Sequence, residues 1–191
     1  MLTVPKGDPV FRILGIDPGT DTLGIGIIDI DLRTGLTQVV MAHTLKASKM
    51  IRDKESFVDR HGALVARLQA LSNCLKEIFE DYQPNAFMVE DSFIGVNPKT
   101  GMILAQAVGM IRDAIIAFDP TKCVELIKPN TAKAEVGAKG NDKTLVAQGL
   151  KDHDLLEIPD GFNLDALSDH ATDALAIALV KARWIYRQLQ L

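Results

Sequence analysis

Three apolar segments near the start of the chain constrain the fold most, because only short connections separate them. Residues 11–17, 23–30 and 37–44 are strand candidates, and the segment 31–35 has the composition of a hairpin turn. Consecutive strands that are joined by short turns pair antiparallel. The sequence therefore predicts a sheet that begins with a three-stranded meander.

The remainder of the chain alternates between helical and strand patterns. Residues 56–82 carry the longest helical pattern, in which apolar residues recur at spacings of three and four; these are Leu64, Leu68, Leu71, Leu75 and Ile78. Further predicted elements are a strand over 86–90, a helix over 100–118, a strand over 123–127 and helices over 143–150 and 168–189. The prediction is an α/β fold with a mixed five-stranded sheet, three antiparallel strands followed by parallel ones, flanked by helices. This order of elements resembles the RNase H-like fold.

The length of the chain and its first residues suggest a simple domain organisation. A chain of 191 residues suits one domain, which we assign to 11–191, with 1–10 as a flexible N-terminal arm. The arm lacks the apolar core of a signal peptide, and no run of about 18 uncharged apolar residues predicts a membrane span. Cys74 and Cys123 have no metal-ligand spacing, so both are expected to be buried apolar side chains. We expect a cytoplasmic protein, including the cytoplasm of an organelle or of a viral host.

The net charge of −4 does not by itself indicate a nucleic-acid partner, but the charges are unevenly distributed. Residues 43–67 and 121–151 each contain six basic and three acidic residues, whereas 152–173 contains seven acids and no Lys or Arg. This pattern fits a phosphate-binding surface around a metal-binding carboxylate cluster. Solvated helix faces and loops would explain the same charges.

Three acids are placed where a sheet enzyme could hold a metal. Asp17 ends the first predicted strand, Glu90 ends the fourth, and Asp173 precedes the apolar part of the last helix. Mg²⁺ prefers oxygen ligands, and two such ions can activate a water and stabilise the leaving oxygen in phosphodiester cleavage. Each acid also has a purely structural interpretation, as a turn residue, a solvated strand end or a helix-surface charge.

A fourth member of this acidic set is left open by the sequence. His170 lies three residues before Asp173, on the same side of a helix, and could be a ligand or exchange protons near neutral pH. Asp169 is the alternative, as the fourth acid or as a helix cap. Asp165, Asp169 and Asp173 would share one face if the helix extended that far back.

Five motifs together resemble those of RuvC-type Holliday junction resolvases, members of the RNase H-like superfamily. They are ILGIDPGTDTLGIG at 13–26, MVEDSFIGVN at 88–97, LAQAVG at 104–109, EVGAKGNDK at 135–143 and HATDALAIA at 170–178. Each motif is weak alone, but the five occur in the family's order across nearly the whole chain. Residues 4–10, 31–35 and 152–167 are longer than expected, which is compatible with a viral or organellar branch.

The resemblance implies a homodimer that binds a four-way DNA junction and nicks two strands symmetrically, with two Mg²⁺ or Mn²⁺ ions in each active site. It implies Asp17, Glu90, His170 and Asp173 as the catalytic and metal-binding set. The DNA-binding candidates are Phe93, Lys133, Lys139 and Lys143. Phe93 could equally pack under a loop, and Lys143 could simply begin a surface helix.

Three other functions compete with junction resolution. A nuclease of the same fold could act on flap DNA or an RNA–DNA hybrid, because the acids report the chemistry and not the shape of the substrate. An ATP-binding protein of the actin and sugar-kinase type also has an Asp-x-Gly-Thr loop, but needs a second one, and the chain has no P-loop. A junction-binding protein without catalysis is the third. We therefore expect no nucleotide cofactor and no membrane partner.

Overall fold

The computed structural model describes residues 7, 9–91, 98–138 and 144–189. Its strands are β1 Val10–Asp17, β2 Thr22–Asp31, β3 Thr37–Lys46, β4 Ala86–Glu90, β5 Val124–Ile127 and β6 Leu156–Glu157. Its helices are α1 Ala47–Met50, α2 Glu55–His61, α3 Ala63–Tyr82, α4 Pro98–Phe118, α5 Pro129–Glu135, α6 Thr144–Lys151 and α7 Asp169–Leu189, with a short 3₁₀ helix at Leu164–Ala166.

The sheet has the order β5-β4-β1-β2-β3-β6. The meander β1–β2–β3 is antiparallel, whereas β4 pairs parallel with β1, and β5 pairs parallel with β4. The mixed α/β sheet of the prediction is therefore confirmed. The predicted strand count of five is wrong by one, because the two-residue strand β6 adds to β3 and is too short to leave a periodic signal in the sequence.

Helices cover both faces of the sheet and enclose two cores. Successive side chains of a strand point to opposite faces, so Ile13 of β1 packs in a core with α5, α6 and α7, and Leu14 packs in a core with α3 and α4. Both side chains are fully buried. The helix α7 makes its main contacts with β1 and β2, which brings its first turn to the end of these strands.

The helix predicted over 56–82 is interrupted at Gly62. This residue has φ of +84°, a conformation that a side chain rarely adopts, and it separates α2 from α3. The predicted stripe is also partly wrong, since Leu64, Leu68 and Ile78 are only partly buried. The buried side chains of α3 are Ala66, Ala70, Leu71, Leu75 and Phe79.

Other boundaries differ from the prediction for local reasons. The strand predicted over 123–127 ends at Ile127 as expected, but Pro129 then occupies the first turn of α5, an unpredicted helix in which its missing N–H and fixed φ are favourable. Val10 belongs to β1 and not to the predicted arm, most of which lies outside the described residues. Cys123 is exposed, contrary to the expectation of burial, and Cys74 is partly buried.

The helix α4 is long and apolar enough to cross a membrane by length and composition, with a mean hydropathy of 1.5. It is the one such helix among the described residues. Core helices of globular proteins pass the same test, and Ala107, Ile111 and Ile115 of α4 are fully buried in this fold.

Candidate active site

Two carboxylates end neighbouring parallel strands. β1 and β4 are paired with Ile16 beside Val89, so the next residues along each strand, Asp17 and Glu90, lie at the same end of the sheet. Both residues are partly buried. The prediction that these two strands end in acids is confirmed, and the parallel register explains why the acids meet.

Glycine allows the start of α7 to approach this end of the sheet. Gly24 of β2 is paired with Asp17 of β1. A Cβ built on Gly24 would lie 2.0 Å from the carbonyl oxygen of His170, a distance that no real Cβ contact shows. The backbone of the first turn of α7 therefore lies directly against β2 beside Asp17.

His170 contacts Asp17 across this junction. Its Nδ1 lies 2.6 Å from Oδ2 of Asp17, and the imidazole is 45% exposed while the carboxylate is 13% exposed. Because an ionised carboxylate only accepts hydrogen bonds, Nδ1 carries the proton in this contact, and Nε2 lies on the opposite side of the ring. The hydroxyl of Ser168 accepts a hydrogen bond from the N–H of Ala171 and contacts the hydroxyl of Thr44, which ties the start of α7 to β3.

The carboxylates of this cluster disfavour one another's ionisation. Burial, together with the nearby charges of Asp17 and Asp173, raises the pKa of Glu90 to about 7, against the smaller lowering effects of Lys133 and His170. Burial also raises the pKa of Asp173, with Asp17 as the next cause. The three acids are therefore close enough to interact strongly, in a setting with too little positive charge to compensate them.

The donor set fits divalent metal ions in its chemistry. Glu90 and Asp173, whose pKa values are raised by burial and by neighbouring acids, gain from a nearby cation, and oxygen ligands are those that Mg²⁺ prefers. The side chains are not arranged around one ion: within the described ranges, no group of three or more His, Cys, Asp or Glu residues has the geometry of a finished metal site.

The contacts in the structure favour His170 over Asp169 as the fourth residue of the acidic cluster. Asp169 is exposed at the start of α7 and its charge raises the pKa of Asp173, whereas His170 touches Asp17. Asp165 lies in the 3₁₀ helix, and both its carboxylate oxygens accept hydrogen bonds from Lys151 at 2.6 and 2.7 Å. Since α7 does not extend back to Asp165, the shared face considered for these acids does not form.

The DNA-binding candidates are only partly described. Lys133 lies on α5, where its charge lowers the pKa of both Glu90 and Asp173, so it faces the acidic cluster. Phe93, Lys139 and Lys143 lie outside the described residues.

Asp21 stabilises the turn beside the site, a role that the sequence did not predict. Its backbone carbonyl accepts a hydrogen bond from the N–H of Ala47 at 2.7 Å, and its side chain accepts one from the N–H of Ser48 at 2.8 Å. Nη1 of Arg67 lies 3.9 Å from Oδ1 of Asp21. These contacts fasten the turn that follows Asp17 to α1, and the only signal in the sequence was an acid in a turn.

Known proteins with related sequence and structure were found. The family model described as crossover junction endodeoxyribonuclease RuvC matches residues 13–181. A protein of that name from Polaromonas is 33% identical over 171 residues, which cover 90% of this chain and 84% of the relative. The structure of T. thermophilus RuvC in complex with a Holliday junction substrate superposes with a TM-score of 0.66 at 22% identity, over 94% of this chain and 96% of the other. The fowlpox virus Holliday junction resolvase gives a TM-score of 0.57 at 11% identity, over 91% and 99% of the two chains.

The two solved structures support the fold alone, because their sequence identity is low. The family follows from the sequence model, which covers most of the chain, and from the identity with the Polaromonas protein. Nucleases of this family depend on divalent metal ions. The chain whose strands bring Asp17 and Glu90 together beneath α7 therefore belongs to the RuvC family of crossover junction endodeoxyribonucleases.

Proposed function

We propose that this chain resolves four-way DNA junctions by hydrolysing one phosphodiester in each of two strands, with Asp17, Glu90, His170 and Asp173 as its active site. The observation that carries the proposal is the meeting of Asp17 and Glu90 at one end of the sheet, with His170 in contact with Asp17. Family membership supports the reaction, and the position of these side chains at one end of the sheet supports their assignment to the active site.

Asp17, Glu90 and Asp173 would hold the divalent metal, with His170 as a further candidate ligand. We propose Mg²⁺, with Mn²⁺ as the alternative, and two ions in each active site. When bound, such ions supply an activated water and stabilise the charge on the leaving oxygen.

The protein's own residues contribute proton control. The hydrogen bond to Asp17 fixes the imidazole of His170, so that Nε2 is directed away from the carboxylate and can accept or donate a proton. With a pKa of about 7, Glu90 exchanges its proton close to neutral pH in the metal-free protein. Lys133 adds a positive charge beside the cluster, where the phosphate of a substrate would be attracted.

A homodimer is the assembly that we propose. A junction has arms related by a two-fold axis, and a dimer with the same symmetry presents one active site to each of two strands. Phe93, Lys139 and Lys143 remain predicted DNA contacts, and 11–191 remains the predicted single domain. The bacterial relatives favour action on DNA in the cytoplasm.

Cleavage of a labelled panel of substrates tests the proposal. The panel contains a four-way junction, a linear duplex, a flap and an RNA–DNA hybrid, each with Mg²⁺, and Asp17→Asn is the control for the active site. Paired, symmetric nicks in the junction that the variant fails to make would support resolution. Cutting of the flap or hybrid with an intact junction would move the substrate to another branched or hybrid nucleic acid, and binding without cutting would favour a junction-binding protein.

A further inference from the structure

A largely buried polar network joins the end of α5 to α7. Oε1 of Glu135 accepts a hydrogen bond from Nε of Arg183 at 2.8 Å and lies 3.2 Å from Nε2 of His153. The side chains of Glu135, His153 and Arg183 are 15%, 4% and 20% exposed. None of the three has a role in the active site proposed above.

The hydrogen bonds of the network fix its protons. Nδ1 of His153 accepts a hydrogen bond from the N–H of Leu155 at 3.2 Å, so in the neutral ring Nε2 carries the proton and donates it to Glu135. Arg183 directs the rest of its guanidinium at the carboxylate of Asp154, with Nη1 at 3.1 Å from Oδ2. Burial raises the pKa of Glu135, but the hydrogen bonds from His153 and Arg183 outweigh it and hold that pKa below its ordinary value. Glu135 is therefore an ionised acceptor that two donors from other parts of the chain hold in place.

Apolar packing holds α5 on one side only. Ala132 is the one buried residue among the seven of α5, all of which the structure describes, and it packs in the core that includes α7. On the side of Glu135, an open cavity of about 420 Å³ lies between α5, α6 and α7. The polar network is therefore the contact that fixes α5 on the cavity side.

Lys133 lies two residues before Glu135, on the opposite side of α5. At about 3.6 residues per turn, the two side chains are about 200° apart around the helix axis. Lys133 is partly buried, and its charge lowers the pKa of both Glu90 and Asp173, so it faces the acidic cluster. A shift of α5 that follows loss of the network would therefore move Lys133 relative to the carboxylates.

We propose that Glu135 is a positioning residue: by bridging Arg183 and His153 it fixes α5, so that the ammonium group of Lys133 meets a phosphate bound at the acidic cluster. The proposal rests on junction cleavage, the function proposed above. Glu135 would act only through Lys133 and would not touch the substrate. The alternative is a network that stabilises the fold and has no effect on the reaction beyond that.

The first test is single-turnover cleavage of a four-way junction in Mg²⁺ by the full chain, with and without Lys133. Glu135→Ala should slow cleavage by at least about tenfold, since a misplacement of about 1 Å can cost about 100-fold. In a Lys133→Ala background the same substitution should slow cleavage by less than about twofold, because residues that act as a unit are not additive. Glu125→Ala removes the acid of another ion pair with α7, formed with Lys181, and is the matched control that should cleave as the wild type does.

The salt dependence of junction binding in Ca²⁺ is the second test, in which charge and position have opposite effects. Removing an acid makes the protein less negative and by itself strengthens binding to DNA. Displacing Lys133 instead removes one phosphate contact and should make the slope of log K against log salt shallower by about 1. Glu135→Ala should therefore show the shallower slope, as Lys133→Ala does. Glu135→Gln keeps an oxygen acceptor for Arg183 and should keep the wild-type slope.

Arg183→Lys takes the place of Glu135→Ala in both tests if that variant does not fold, because lysine keeps the charge but lacks the planar fork that contacts Glu135 and Asp154 at once. Equal slowing by Glu135→Ala with and without Lys133, wild-type cleavage by Glu135→Ala, or an unchanged salt slope would overturn the positioning role and leave junction cleavage intact. Absence of any nick by the wild-type protein would overturn both proposals at once.

Discussion

Glu90→Gln is expected to stabilise the metal-free protein at alkaline pH while removing cleavage. Glu90 is partly buried beside two other carboxylates, and these surroundings raise its pKa from the ordinary value of 4.5 to about 7. Above that pH the folded protein carries a charge that its environment disfavours. Glutamine keeps the shape of the side chain and removes the charge.

The size of the effect follows from the two pKa values. Ionising Glu90 in the folded rather than the unfolded chain costs about 3.5 kcal/mol, at about 1.4 kcal/mol for each pH unit between the two pKa values. Partial exposure to solvent reduces this to ~1–2 kcal/mol. Because the folded pKa is the higher one, the stability associated with the protonated form is fully present below pH 4.5 and is lost as the pH rises through about 7.

Urea denaturation in EDTA at pH 5 and pH 8 measures this effect. The free energy of unfolding of Glu90→Gln should exceed that of the wild type by ~1–2 kcal/mol at pH 8, and the difference should shrink strongly at pH 5. Glu157→Gln, an exposed carboxylate on β6, is the matched control and should change little at either pH. A variant that is less stable than the wild type at pH 8, or a gain of equal size at both pH values, would refute the electrostatic reasoning.

Three further predictions concern packing, metal and charge. Gly24→Ala should destabilise the fold by ~1–3 kcal/mol, because its Cβ would meet the His170 carbonyl. Gly109→Ala is the control and should not destabilise the fold in this way, since no heavy atom lies within 4 Å of its new Cβ. Equal urea midpoints for the two variants would contradict the close approach of α7 to β2. Mg²⁺ at a hundredfold excess over its Kd should stabilise the wild type by ~3 kcal/mol, which a rise in the thermal midpoint would report. An equal rise in Asp173→Asn would show that Asp173 is not a ligand of the metal. Lys133→Ala should raise the pKa of Glu90 in an NMR titration and weaken junction binding with a smaller dependence on salt; an unchanged pKa would place Lys133 away from the cluster.

The acids of the site were predictable because strand ends leave a clear signal. A short apolar run that finishes on an acid marks both Asp17 and Glu90, and the apolar residues after Asp173 indicated that it enters a buried helix. Their meeting depends on β1 lying beside β4 in parallel register. That pairing joins residues far apart in the chain, so no local pattern could specify it, and the family resemblance implied only that the two acids belong to one catalytic set.

Features that depend on close packing could not be predicted. The break at Gly62 depends on a positive φ that the helical pattern around it conceals. The contact of Gly24 with the backbone of His170 requires the position of α7 over the sheet. The position of Lys133 beside the acids follows from the docking of α5 on α7, and α5 itself was missed because its first residue is Pro129.

Single-turnover cleavage of a four-way junction in Mg²⁺, measured beside junction binding in Ca²⁺, tests the central claim most directly. The wild type should nick two strands at symmetric positions. Asp17→Asn and Asp173→Asn should bind the junction as the wild type does and cleave it more than about 100-fold more slowly, since even the outer partners of metal ligands contribute about 10- to 100-fold. Cleavage by either variant at close to the wild-type rate would contradict the assignment of this carboxylate cluster as the active site.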